Sequence, residues 1–280
     1  MTRVRRFMQV DVFTATPTRG NALAVVLDAD GLTDEQMQVF ARWTNLAETT
    51  FLFPPDNEQA DYSLRIFTPV REMPFAGHPT LGSCAAWLRA GGTPKNAGSV
   101  IQDCGVGLVE IDLQGEVPAF VAPPTAIDEL PPADAKQLAE ALGLQAADIV
   151  RTAKLNNGPV WQVFQLRSAA AVLAANAAAV NWATHKPIGL IGPHTSNHEC
   201  DHEVRMLAPS SGMSEDPITG SLNAAIAHWM QSIGELERDL IIAQGTSIDR
   251  QGRVYIRRGE AGRVLIGGQS HVLIDGELTL

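Results

Sequence analysis

Met73–Gly91, MPFAGHPTLGSCAAWLRAG, is written a second time as Met213–Gly234, MSEDPITGSLNAAIAHWMQSIG. Arg65 and Arg205, Pro69 and Pro209, and Met73 and Met213 are each 140 positions apart. A two-residue slip then sets Pro79 on Pro217, Gly82 on Gly220, Ser83 on Ser221 and Ala86 on Ala224, all 138 apart, and it faces His78 with Asp216. Both copies carry one plan. An extended segment meets a Pro and a short polar loop. A second Pro stands where a first helical position is expected, since its missing N–H costs nothing there. An apolar, Ala-rich helix follows and stops at Gly91 or Gly234. Such a helix start carries free N–H groups and the positive end of the helix dipole. Two of them in one chain could grip one carboxylate; they could equally be two buried helices with good start signals.

Two further segment pairs repeat in the same order. Gly158–Phe164 mirrors Gly20–Val26, and Gly252-Arg-Val-Tyr-Ile echoes Gly107-Leu-Val-Glu-Ile. A period near 140 is too long for a solenoid, so the expectation is a duplicated domain with a cleft between similar halves. The expected halves are 1–122, completed by about 268–280, and 123–267.

Strand alternation is expected at Val4–Phe13, Ala22–Leu27, Thr49–Phe53 and Asp61–Phe67. Thr33-Asp-Glu-Gln36 reads as a capping box opening a helix to about Thr44. Asn45–Glu48 reads as a loop and Pro123–Pro132 as the most linker-like stretch. Ala133–Leu142 and the Ala-rich Ser168–Val180 read as helices. Val264–Leu280 reads as strand, turn, strand, turn, strand.

The chain has 280 residues, 45% hydrophobic and 19% charged, with a net charge of −10. The acidic balance argues against nucleic acid and anionic membranes as partners. No apolar run approaches the ~20 residues of a membrane span. Three cysteines at irregular spacing fit a reduced cytoplasm.

Few residues stand out chemically. Glu48 lies in the uncharged stretch Asn-Leu-Ala-Glu-Thr-Thr-Phe. It is either an exposed loop residue or a partly desolvated acid of raised pKa, as a proton shuttle requires. His78 is a poor helix cap and so suggests a hydrogen-bonding task, whereas Asp216 is a good cap in its own right. His194, His198, Cys200 and His202 offer zinc-type ligands, but at a spacing that suits a strand better than a metal site; no metal is expected. Gly77-His-Pro-Thr-Leu-Gly82 has P-loop glycines, with Ser83 where Lys is needed. No nucleotide or nicotinamide motif is present.

VDVFTATPTRGNALAVV (10–26), NLAETTF (45–51), FAGHPTLG (75–82), EDPITGS (215–221) and VLIGGQSHVLIDGELTL (264–280), in this order, resemble the phenazine-biosynthesis PhzF-like proteins. The resemblance implies the diaminopimelate epimerase-like fold. This is an α+β architecture of two pseudo-symmetric lobes, each a mixed β-sheet curled as a barrel around a central helix. It implies a cofactor-independent isomerase, a homodimer, acting on a small carboxylate. Carried over residue by residue, Glu48 moves a proton between carbons, and His78 and Asp216 assist. Gly77, Gly220 and Ser221 bind substrate, the glycines through backbone N–H groups. Ala47 departs from a frequent Ser, and Asp249-Arg250-Gln251-Gly252 from a GRPS-like turn. Racemases of this fold use two cysteines at the helix starts, whereas Cys84 falls inside the first helix here. The competing expectation is a catalytically silent small-molecule-binding or partner-binding protein on the same fold.

Overall fold

The computed structural model describes residues 2–177, 186–208 and 213–280. Pro209 and the far end of the expected 168–180 helix lie outside them. In chain order the elements begin β1 (Val4–Val12), β2 (Asn21–Val26), α1 (Asp34–Thr44), β3 (Glu48–Phe53), β4 (Tyr62–Phe67), β5 (Glu72–Met73), α2 (Gly77–Arg89), β6 (Ser99–Cys104), β7 (Gly107–Asp112) and β8 (Ala119–Val121). There follow β9 (Ala126–Asp128), α3 (Pro132–Leu142), β10 (Ile149–Asn156), β11 (Val160–Leu166), α4 (Ala169–Ala174), β12 (Ile188–Pro193), β13 (His202–Ala208), β14 (Met213–Asp216), α5 (Gly220–Ser232), β15 (Leu240–Gln244), β16 (Gly252–Arg258), β17 (Val264–Gly267) and β18 (Ser270–Thr279). The fold is α+β, a mixed sheet with few helices. It divides into two compact units, Met1–Val121 with Gly267–Leu280, and Ala122–Ile266.

In the first unit β1 pairs antiparallel with β18 and β2, and β2 runs parallel to β3. β3 is antiparallel to β4, which takes β5 antiparallel and β6 parallel; β7 closes on β6 antiparallel. In the second unit β10 is antiparallel to β9 and β11, and β11 is parallel to β12. β12 is antiparallel to β13, which takes β14 antiparallel and β15 parallel; β16 is antiparallel to β15. The run β1 to β7 and the run β10 to β16 thus use one pairing scheme. In each, the third and fourth paired strands lead through a short fifth strand into a buried helix.

Local signals explain several elements. Thr33 Oγ1 accepts from the Gln36 N–H at 3.2 Å and Gln36 Oε1 accepts from the Thr33 N–H at 2.9 Å, the reciprocal box that starts α1. Met37 and Ala41 of α1 pack with Val26, Ala29, Phe51 and Phe67. Gly91 and Gly234 take φ of 99° and 75° just past α2 and α5, a left-handed turn that glycine makes without a Cβ clash. α2 carries no charge before Arg89 and is buried from Gly77 to Cys84. It touches β1, β2, β3, β6, β8 and β18. Gly82 lets it approach: a Cβ there would lie 2.6 Å from Leu23 Cδ2 and 2.8 Å from Val12 Cγ2. Gly82→Ala gains up to ~1 kcal/mol of helix propensity but overpacks, which costs ~1–3 kcal/mol. A lowered urea midpoint is the expected result, and a raised one would show that the two strands yield.

Three expectations are corrected. The linker-like stretch contains β9, which pairs with β10 from Ala126 to Asp128, because a partner edge was available to its backbone groups. α4 is only six residues long, and Ala175 after it is extended (φ −61°, ψ 131°) with its neighbour's N–H bonded to Leu142 O. Alanine propensity alone does not carry a helix past the apolar contacts it makes. The second of the two turns expected within Val264–Leu280 is absent: β18 is unbroken, and its register with β1 runs from Ser270 to Thr279. Pairing along the whole of β1 overrides the local turn signal.

Candidate active site

Glu48 is the first residue of β3, not a loop residue. Its side chain is only 18% exposed. β3 lies beside β2 in parallel register, with Leu23 opposite Glu48, so the sheet and not a local turn sets the position of the carboxylate. From α2, His78 brings Nε2 to 3.4 Å from Glu48 Oε2. His78 is buried, and Nε2 makes no hydrogen bond of normal geometry. The expected helix start, with His78 just before a first-position Pro79, is corrected: Ala76 is the cap, Gly77 is the first helical residue and His78 the second. Pro79 is therefore third, where an N–H would still lack an intrahelical acceptor, so the ring removes no bond.

Burial pulls the His78 pKa from 6.5 to about 3. The imidazole is neutral at pH 7, and its contact with Glu48 is not an ion pair. A histidine whose folded pKa is lowered binds more protons unfolded than folded, so stability falls as pH drops from about 6.5 toward 3. His78→Asn is expected to flatten that acid limb in a plot of urea midpoint against pH. An unchanged limb would mean that the imidazole protonates without penalty in the fold.

The second unit places Asp216 at the end of β14 and Gly220 at the first position of α5, with Thr219 as cap. Pro217 lies outside the helix, two residues before the cap, so the second expected first-position Pro is also corrected. Register decides which residues correspond. Ile66 faces Met73 in the first unit and Met206 faces Asp216 in the second. Asp216 therefore corresponds to Met73, not to His78. Four residues after each comes the glycine that starts the helix, Gly77 or Gly220, and then His78 or Ser221. The slip that aligned the two prolines is not the alignment the strands use, because hairpin pairing, not proline spacing, fixes where each helix begins.

Asp216 Oδ2 accepts from Thr219 Oγ1. Thr219 and Asn223 bond in turn to Gln244 at the end of β15. Ser221 O accepts from Asn157 Nδ2 at 2.8 Å. Thr219, Asn223 and Gln244 escaped the sequence reading: each is an ordinary polar residue until the fold buries all three. The available signal was an Asn and a Gln among otherwise apolar core positions.

The His/Cys cluster does not assemble. His202 and Glu203 are adjacent in β13 and point to opposite faces of the sheet. His194 and His198 stack at 3.7 Å between ring centroids, and His198 Nδ1 accepts from the Cys200 N–H. His194 Nε2 lies 3.1 Å from Glu203 Oε2. Burial pushes Glu203 up to about 7 and pulls His194 down, each toward its neutral form. Among the described residues no three His, Cys, Asp or Glu are gathered to hold a metal ion. Cys84 is buried within α2, and its thiol is pushed up to about 12, far from a reactive thiolate. Among the described residues no helix is long and apolar enough to cross a membrane.

The chain matches the family described as phenazine biosynthesis-like protein over residues 10–276. It is 35% identical to antisense-enhancing sequence 1 of Schizosaccharomyces pombe, covering 97% of both chains. It is 30% identical to the trans-2,3-dihydro-3-hydroxyanthranilate isomerase of Pseudomonas aeruginosa, covering 99% of this chain and 100% of that one. In fold it is similar to a crystal structure of a PhzF-family protein of Bacillus anthracis, with a TM-score of 0.82, 22% identity, and coverage of 99% of this chain and 100% of that chain. The chain belongs to the phenazine biosynthesis-like, or PhzF, family and is an isomerase.

Proposed function

We propose that the chain moves a proton between carbons of a small cyclic or unsaturated amino or hydroxy acid, with Glu48 as the carrier. The observation that carries this reading is the buried Glu48–His78 contact at 3.4 Å with a neutral imidazole. A charged partner would hold Glu48 as a fixed carboxylate; a neutral one leaves it able to take a proton and give it back. The carboxylate removes a proton from a carbon conjugated to the substrate's double bond. The electron pair left on carbon shifts along the conjugated system, and the new Glu48 acid protonates its far end. His78 and Asp216 orient the substrate's polar groups. Ser221 and the N–H groups of Gly77 and Gly220, each at a helix start, bind substrate oxygens.

We likewise propose that each unit's mixed sheet curls about its helix, α2 or α5, as one of two pseudo-symmetric lobes. The contacts of α2 with six strands support it for the first unit. A cytoplasmic homodimer is proposed from the family resemblance, and sedimentation tests the dimer. The central experiment incubates the protein in D2O with trans-2,3-dihydro-3-hydroxyanthranilate and a panel of related unsaturated amino acids. Deuterium gained at carbon, read by mass spectrometry, is the expected outcome. Tight binding without exchange across the panel would favour the silent binding protein.

A further inference from the structure

We infer that Gln244 is a positioning residue for Asp216, acting through the hydroxyl of Thr219. The inference rests on the proposed role of Asp216. The Gln244 amide uses its full hydrogen-bonding capacity. Oε1 accepts from the Thr219 N–H at 3.1 Å and from Asn223 Nδ2 at 2.9 Å. Nε2 donates to Thr219 Oγ1 at 3.0 Å and to Asp216 O at 3.3 Å. Flipping the amide would set its NH2 against two donors, so the network fixes its orientation. Thr219 Oγ1 then already accepts from Gln244, and its one proton goes to Asp216 Oδ2.

Two further observations set this apart from ordinary core satisfaction. A Thr at a helix cap normally turns its oxygen to the first-turn N–H groups. Thr219 is the cap of α5 and makes no such bond. Its hydroxyl serves Asp216 instead. In the first unit the cap is Ala76, and the nearest counterpart ends on the backbone: Gln102 Nε2 donates to Thr80 Oγ1 at 3.2 Å, and Thr80 Oγ1 donates to Ala76 O at 2.9 Å. A helix start of this kind therefore forms without a hydroxyl on its cap. The parts of the second relay are rigidly held. Gln244 is fully buried and sits in both ladders of β15, opposite Val204 and opposite Gly252. Asn223 also donates to Thr219 O at 2.9 Å, which ties the cap to the first turn of α5.

The test compares Thr219→Val, Thr219→Ser and Gln244→Met. Val keeps the shape of Thr without its hydroxyl, Ser keeps the hydroxyl, and Met fills the Gln volume without an amide. Crystal structures of all three give the first readout. The expected result is an Asp216 carboxylate turned from its wild-type place in the Val and Met variants and restored in the Ser variant. The second readout is kcat and KM with trans-2,3-dihydro-3-hydroxyanthranilate. Misplacing a reacting group by about 1 Å can cost ~10²-fold; a loss of that order in kcat with KM little changed is expected for Val and Met, with recovery in Ser. An Asp216 carboxylate that stays in place in both Val and Met variants, with kcat unaltered, overturns the inference. Should the wild type turn over neither this acid nor its relatives, the proposed function fails, while the crystal structures still decide the relay. Should Gln244→Met not fold, the Thr219 pair decides alone, because Val keeps the volume of Thr and loses its hydroxyl, whereas Ser keeps the hydroxyl and loses only a methyl.

Discussion

Glu48→Gln is expected to lower the rate of substrate carbon–hydrogen exchange by ~10²–10⁴-fold while leaving fold and ligand affinity nearly intact. Gln matches Glu in shape and keeps one acceptor oxygen, so the 3.4 Å approach to His78 Nε2 can persist. What it lacks is a titratable oxygen. No proton can be held between removal from one carbon and delivery to the next, and the step stalls at its first half. Wild type should wash deuterium from D2O into the acid it isomerises, and the Gln variant should not. Equal exchange in both proteins would make Glu48 a bystander and pass the role to Asp216. His78→Asn serves as the contrast: it removes a neutral neighbour, not the carrier, so a smaller loss is expected.

Arg205→Met is expected to destabilise the second unit strongly. Arg205 is 4% exposed and Glu215 6% exposed. The guanidinium donates twice to the carboxylate, Nε to Oε1 at 3.1 Å and Nη2 to Oε2 at 2.7 Å. Its Nη1 also donates to Ala175 O at 2.7 Å and Val172 O at 3.2 Å, closing the end of α4. Removing one member of a buried pair strands the other charge and costs ~3–5 kcal/mol. The first unit repeats the device at the surface. Arg65 donates to Glu72 at 2.7 and 2.6 Å and to Asp34 at 2.7 Å, with its side chain 32% exposed. Water screens that set, so Arg65→Met should cost no more than ~1 kcal/mol. Urea midpoints of the two variants measure the contrast. The double variant Arg205→Met, Glu215→Leu should recover much of the loss, since it leaves no unpaired charge. Equal losses at Arg65 and Arg205 would show that burial does not set the value of this clamp.

The two arginines, 140 positions apart, were legible as a pair from the sequence, but not which of them is buried. Exposure depends on what packs over each hairpin: α1 contributes only its first residue, Asp34, to Arg65, whereas the end of α4 folds its carbonyls onto Arg205. The same distinction applies to the candidate residues. Glu48, His78 and Asp216 could be singled out as candidates because the motifs around them are contiguous. The neutrality of His78 could not be named, because it follows from desolvation by residues distant in the chain.

What the sequence by itself determined is what short-range chemistry and contiguous motifs record. The capping box of Thr33 and Gln36 and the glycines after α2 and α5 are set by hydrogen bonds and backbone angles spanning a few residues. The repeated segments carry the duplicated pairing scheme, and the ordered motifs carry the family. Only the tertiary structure decided that Glu48 belongs to a strand, that Asp216 corresponds to Met73, that β18 runs unbroken, and that Gln244 reaches Asp216. Each of these is a choice of partner across the sheet. A one-residue change of register exchanges the buried and exposed faces of a strand, so burial summed over both partners selects the register. That sum involves residues tens to hundreds of positions apart, and no local stretch of the chain contains it.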